Sequence, residues 1–134
     1  ATDLAHLHAA WPELAPLAAA LQRQWPALTP GFHRLHLDGG HVTLTLIFGD
    51  ALDALPQLSA CADAFFLDGF SPARNPELWG EDLMAQVAAH TAPGGSFATY
   101  TAAGHVRRAL AAAGFAVTRA PGFAGKRHMS RGQL

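Results

Sequence analysis

Residues 63–79 read DAFFLDGFSPARNPELW, and the first six of them decide the fold. Ala64-Phe65-Phe66-Leu67 is a compact apolar run closed by Asp68. A run without polar alternation reads as a strand buried on both faces, the habit of parallel sheets covered by helices. Gly69 and Pro72 then turn the chain, and residues 77–92 carry a helical pattern stopped by Pro93-Gly94-Gly95. Residues 96–101 make the next strand and 104–113 the next helix, with Gly114 beyond its end. Residues 115–119 form a further strand, and 128–134 are expected to return antiparallel beside it.

Upstream, residues 32–37 and 42–48 both read as strands, joined by Asp38-Gly39-Gly40 as a hairpin turn. Thr43 and Thr45 alternate with apolar residues, which leaves one face wet. A short helix is expected over 51–58. Before the hairpin, residues 3–10 read as a helix with Thr2 or Asp3 as its N-cap. Pro12 opens another helix, on which Leu14, Leu17, Leu21 and Trp25 are spaced for one apolar face. Pro26 and Pro30-Gly31 end it. The alternation of strand and helix from Val42 onward predicts an α/β open sheet. Ligands of such sheets sit at the carboxyl ends of strands. The residues that follow the predicted strands there are Gly49-Asp50, Asp68-Gly69-Phe70 and Thr101.

Composition bounds the rest. Of 134 residues, 50% are hydrophobic and 14% charged, which suits one domain with a core rather than a disordered chain. No apolar run approaches the roughly 18 residues of a membrane span, and no basic-then-apolar signal segment opens the chain. Cys61 stands alone, so no internal disulfide forms; a buried, inert thiol in a reducing cytoplasm is expected. All ten acidic residues lie at or before Asp82, with only three of the nine basic ones. Arg107, Arg108, Arg119, Lys126, Arg127 and Arg131 follow, an asymmetry suited to a polyanion on the C-terminal part. Eight histidines raise the question of a metal. His6 and His8 are two apart on a helix, and His33 and His36 three apart on a strand, so neither pair converges and no metal is expected.

The block DGFSPARNPELW is specific. With PGGSFATYTAAGHVRRALAAAGF (93–115) and GFAGKRHM (122–129) it resembles the methyltransferase domain of the bifunctional tRNA 5-methylaminomethyl-2-thiouridine biosynthesis proteins and of their stand-alone relatives. HLHAAWPELAPLAAALQRQWP and LTLIFGD resemble it too, so the likeness covers nearly the whole chain. It implies a Rossmann-like class I methyltransferase fold, mostly parallel with an antiparallel C-terminal strand pair. It implies S-adenosylmethionine as cofactor and the amine of 5-aminomethyl-2-thiouridine at the tRNA wobble position as methyl acceptor. FAD would enter only through a fused oxidase domain, which nothing here resembles. The family's Gly-rich loop after its first strand and the acidic residue ending its second have no counterpart. The chain is therefore expected to be the downstream part of a domain, residues 1–134 lacking the first two strands. Ala1, without a preceding Met, fits that expectation. Edges left open by such a truncation would make the isolated chain marginally stable or prone to non-native self-association.

Methyl transfer to an amine needs the nitrogen in line with the methyl carbon and neutral at attack. A free alkylamine, with a pKa of about 10.4, arrives mostly protonated. A carboxylate can orient it and take its proton, while an apolar wall favours the neutral form. Asp68 is the expected catalytic carboxylate, also contacting the cofactor, and Phe70 offers a ring to the base or the sulfonium. Gly49 and Asp50 match the family's cofactor position, where Asp50 would accept from the adenine amino group. Pro72, Asn75 and Trp79 are expected to shape the substrate rim, with the core an equal alternative for Trp79, and Lys126 and Arg127 to contact tRNA phosphates. Two other functions compete: a non-catalytic RNA-binding module of the same fold, and a methyltransferase for a small molecule.

Overall fold

The computed structural model describes residues 2–134. They divide into two compact units, one ending at Gly49 and one running Asp50–Leu134.

In the first unit, α1 spans Thr2–His8. Asp3 sits inside the helix, in its first turn, where a carboxylate suits the helix dipole, and the side chain of Thr2 lies outside what is described. Pro12 opens only a 3₁₀ turn, Pro12–Leu14, and α2 proper is Ala15–Gln24 with Pro16 in its first turn. β1 (Gly31–Leu37) and β2 (Val42–Phe48) pair antiparallel from Gly31↔Phe48 to Leu37↔Val42. Their connection runs through positive φ at Asp38, Gly39 and Gly40 (50°, 63° and 97°), which glycine adopts without a Cβ penalty. The hairpin is as expected, and it forms a two-stranded sheet. The predicted apolar stripe of this segment is covered only in part: Leu14 and Leu17 remain 47% and 63% exposed, while Leu21 and Trp25 are half-buried. Two short helices and one hairpin offer too few apolar partners to cover it fully.

The second unit holds α3 (Ala51–Ala54), β3 (Ala62–Leu67), α4 (Glu81–Ala89), β4 (Thr91–Thr99), α5 (Gly104–Ala112), β5 (Ala116–Pro121) and β6 (His128–Gln133). Its sheet has the order β3-β4-β6-β5, with β3 parallel to β4 and β6 antiparallel to both its neighbours. The expected parallel pairing and antiparallel return are both present. β3, however, is an edge strand and is not buried on both faces. Phe65 and Leu67 pack toward the core, while Phe66 is 81% exposed. Helices cover one face of the strand only, so a continuous apolar run here misreports two-sided burial. Cys61, just before the strand, is exposed rather than buried.

The core is built by two helices on that sheet. α4 contributes Leu83, Met84, Val87 and Ala88, and α5 contributes Val106, Ala109 and Leu110. These spacings place each set on one helical stripe. Phe97 of β4 meets Phe115 edge-on at 5.0 Å between centroids. α5 ends as its glycine predicts. Gly114 takes φ 112°, its N–H donates to Ala111 O, and Phe115 N–H donates to Leu110 O. That pair of bonds is the Schellman arrangement, closed by apolar contact between Phe115 and Leu110.

α4 is shorter than the expected 77–92. Pro76–Trp79 forms a 3₁₀ turn and Gly80 separates it from the helix. Pro93-Gly94-Gly95 is no helix stop but an irregularity inside β4, between the Ala62 and Ala64 pairings. Gly95 has to be glycine there, since a Cβ would stand 2.8 Å from Ala92 O. On β6, Ser130 is fully buried and its hydroxyl donates to Thr101 O at 2.8 Å. Ser130→Ala is expected to cost about 1–3 kcal/mol by stripping a buried carbonyl of its partner, read as a lowered urea midpoint at unchanged m.

Candidate active site

The carboxyl ends of β3 and β4 and the β5–β6 turn converge on one cleft of about 460 Å³. Its lining is mostly apolar, from Phe66, Ala98, Phe123 and Met129, with Asp68 and Lys126 as its charged groups. Asp68 is exposed, delivered by the strand that ends at Leu67.

The turn after Asp68 is tied down by two aromatic side chains from outside it. The Tyr100 hydroxyl donates to Gly69 O at 2.9 Å, and Trp79 Nε1 donates to Phe70 O at 2.7 Å. The two rings meet edge to face, 6.1 Å apart at 90°. Gly69 allows this closeness: a Cβ on it would press on Leu78 Cδ1 at 3.2 Å and Trp79 Cζ2 at 3.5 Å. The backbone that carries Asp68 is thus fixed from two sides, while the carboxylate itself stays in the open.

The opposite wall comes from a tight turn. Phe123 O accepts from Lys126 N–H at 3.1 Å, and Ala124 and Gly125 between them have φ 49° and 82°. Both central residues at positive φ make a type I′ hairpin turn, which suits the twist of β5 and β6. Gly122 is required as well, because a Cβ there would collide with the Lys126 carbonyl. The turn projects Lys126 back over the cleft, with Nζ 4.3 Å from the Tyr100 ring centroid.

Of the residues singled out from sequence, Asp68 and Lys126 come together here. Lys126 was expected on a phosphate-binding surface and instead lies in the cleft. Phe70 does not line it: its ring is 79% exposed, and its carbonyl, not its ring, is engaged. Trp79 is 2% exposed and belongs to the core. It cannot form a substrate rim; it supports the Asp68 turn from beneath. Pro72 and Asn75 are half-buried around the 71–75 turn, away from the cleft lining. Asp50 is the N-cap of α3, accepting from Leu52 N–H at 2.8 Å with one oxygen. Gly49 is exposed at the end of the first unit. Arg127 is exposed, Arg108 is exposed on α5, and half-buried Arg107 leaves its buried Nε without a partner. Among the described residues no group of three or more His, Cys, Asp or Glu could hold a metal, and no helix is long and apolar enough to cross a membrane.

Tyr100 was missed. The signal was present: it is the first residue after β4, and placing the strand end at Thr101 rather than Thr99 passed over it.

A family model described as S-adenosyl-L-methionine-dependent methyltransferase matches residues 12–134. The chain is 63% identical over 131 residues to the tRNA 5-methylaminomethyl-2-thiouridine biosynthesis bifunctional protein MnmC of Aromatoleum aromaticum, covering 98% of the chain and 21% of that protein. It is 56% identical over 133 residues to the protein of the same name from Chromobacterium violaceum, covering 99% and 20%. The chain thus spans about a fifth of the length of these curated relatives. Among solved structures, MNMC2 from Aquifex aeolicus superposes with a TM-score of 0.72 at 26% identity, over 89% of the chain and 36% of that structure.

Proposed function

The chain belongs to the S-adenosyl-L-methionine-dependent methyltransferase family, and from that premise we propose that the Asp68 cleft is where a methyl group passes to the amine of 5-aminomethyl-2-thiouridine at a tRNA wobble position. The observation that carries this reading is a single exposed carboxylate, at the end of a parallel strand, on the wall of an otherwise mostly apolar cleft that also holds a fixed aromatic face. The names of the relatives support the tRNA and the 2-thiouridine.

The residues present suit the reacting end of the cofactor: the cleft is mostly apolar, with Asp68 as its one carboxylate on the side left for the amine. Asp50, one oxygen committed to its cap, keeps the other for an adenine amino group. S-adenosylmethionine, when bound, supplies an electrophilic methyl on sulfur. The chain's own work is on the nucleophile. Asp68 accepts a hydrogen bond from the substrate amine, orients it, and takes its proton. The apolar wall works against the charged form of the amine as water leaves. Arg127 and the other exposed arginines of the C-terminal part position the RNA through phosphates, which fixes register without reading sequence. A tRNA substrate places the reaction in the cytoplasm.

The test uses the full natural protein with tRNA carrying the 5-aminomethyl group. Methyl transfer to that nucleoside is expected, with tRNA affinity falling steeply as salt is raised from about 50 to 200 mM. Transfer to a free small molecule but not to tRNA, or tRNA binding without any transfer, would replace this reading with one of its two competitors.

A further inference from the structure

The position of Lys126 has a use that phosphate binding does not explain. Its ammonium stands over the ring of Tyr100, 4.3 Å from the centroid, and both residues share the cleft with Asp68. The ring is a rigid shelf, held by its hydroxyl on Gly69 O and its contact with Trp79. An aromatic face attracts a cation through its quadrupole, more strongly where water is scarce.

We propose that the Tyr100 face is the subsite for the substrate's alkylammonium and that Lys126 is its resident occupant, displaced when the substrate enters. The inference rests on the tRNA-amine reading above. A lysine ends in CH₂–NH₃⁺, and so does a protonated 5-aminomethyl group; a surface that seats one seats the other. Two ammonium groups on one ring face repel, so entry of the substrate requires Lys126 to leave. It can leave without unfolding anything. Its backbone is fixed in the Phe123–Lys126 turn, while four rotatable methylenes carry the charge. Swung outward, the ammonium joins exposed Arg127, the next residue, on the side open to RNA phosphate. The same lysine therefore fills the amine subsite before binding and contacts the backbone after it.

The experiment uses the full natural protein and two anticodon stem-loop RNAs, one with 5-aminomethyl-2-thiouridine at the wobble position and one with 2-thiouridine. With ¹³C-labelled lysine, the Lys126 ε-protons are expected to be shielded by the Tyr100 ring in the free protein. They should move to the unshielded position with the aminomethyl RNA and not with its counterpart. Binding is read as the ratio of the two affinities at about 200 mM salt, which cancels the phosphate contacts common to both RNAs and screens the one Lys126 gains on leaving. Lys126→Met should raise that ratio several-fold. Tyr100→Leu should lower it about tenfold, and Tyr100→Phe, which keeps the ring but loses its tether on Gly69 O, should lower it much less. A Lys126 resonance that ignores the amine, or a ratio that falls in Lys126→Met, overturns the inference while leaving the reaction standing. Absence of methyl transfer to the aminomethyl RNA by the wild-type protein defeats the reading beneath it, and the inference with it.

Discussion

Asp68→Asn is expected to reduce methyl transfer about 10²- to 10⁴-fold, with affinity for S-adenosylmethionine changed by no more than a few-fold. The amide matches the carboxylate in size and keeps one acceptor oxygen, so it can still touch the amine. It cannot take the proton, and it removes the negative charge that draws a cationic nucleophile into the cleft. The fold is not at stake. The side chain is exposed, and the turn behind it is held by Tyr100 and Trp79 acting on Gly69 O and Phe70 O. Surface changes away from packing usually fall within about 0.5 kcal/mol of neutral. Single-turnover rates with saturating cofactor and tRNA separate the two effects, and an equal loss in rate and in cofactor affinity would indicate a binding role in place of proton transfer. Turnover like the wild type would remove Asp68 from the chemistry altogether.

Trp79→Ala carries the largest expected loss of stability, about 3–5 kcal/mol. The ring is 2% exposed and packs with the α4 and α5 residues of the core. Its removal leaves a cavity under the Asp68 turn and frees Phe70 O from its 2.7 Å partner. Trp79→Phe separates the two parts. It keeps most of the packing and loses the indole N–H, which costs about 0.5–1.5 kcal/mol for one hydrogen bond. In that variant transfer should slow more than stability suffers, because the residues after Asp68 are no longer tied from both sides. Denaturant titration by circular dichroism, with rates measured on the same samples, checks both. A loss below about 1 kcal/mol in Trp79→Ala would contradict its place in the core.

Much of the local structure was legible because its causes are local. Asp38-Gly39-Gly40 announces a reversal, since three consecutive residues at positive φ are acceptable only where glycine and aspartate supply them. Gly114 announces the end of α5, because the αL residue after a helix has to avoid a Cβ clash. Asp68 at the end of an apolar strand was identifiable as a candidate by the rule that sheet ligands gather at carboxyl ends, and it does line a cleft there. Boundaries failed where a proline or glycine has two meanings. Pro93-Gly94-Gly95 reads as a stop, yet pairing with β3 carries the strand through it. The DGFSPARNPELW block left Trp79 open between rim and core, and only packing shows it facing inward.

The chain's order of residues, taken alone, determined most of the segments that would be strand or helix, most of the turns, and which carboxylate would end the apolar strand. Each of these depends on neighbours a few positions away. The tertiary structure decided that β6 inserts between β4 and β5, that Leu14 and Leu17 stay exposed, and that Lys126 lies over Tyr100. Those outcomes depend on groups far apart in the chain meeting in space. No propensity or period encodes such a meeting until the sheet has set the distance between them.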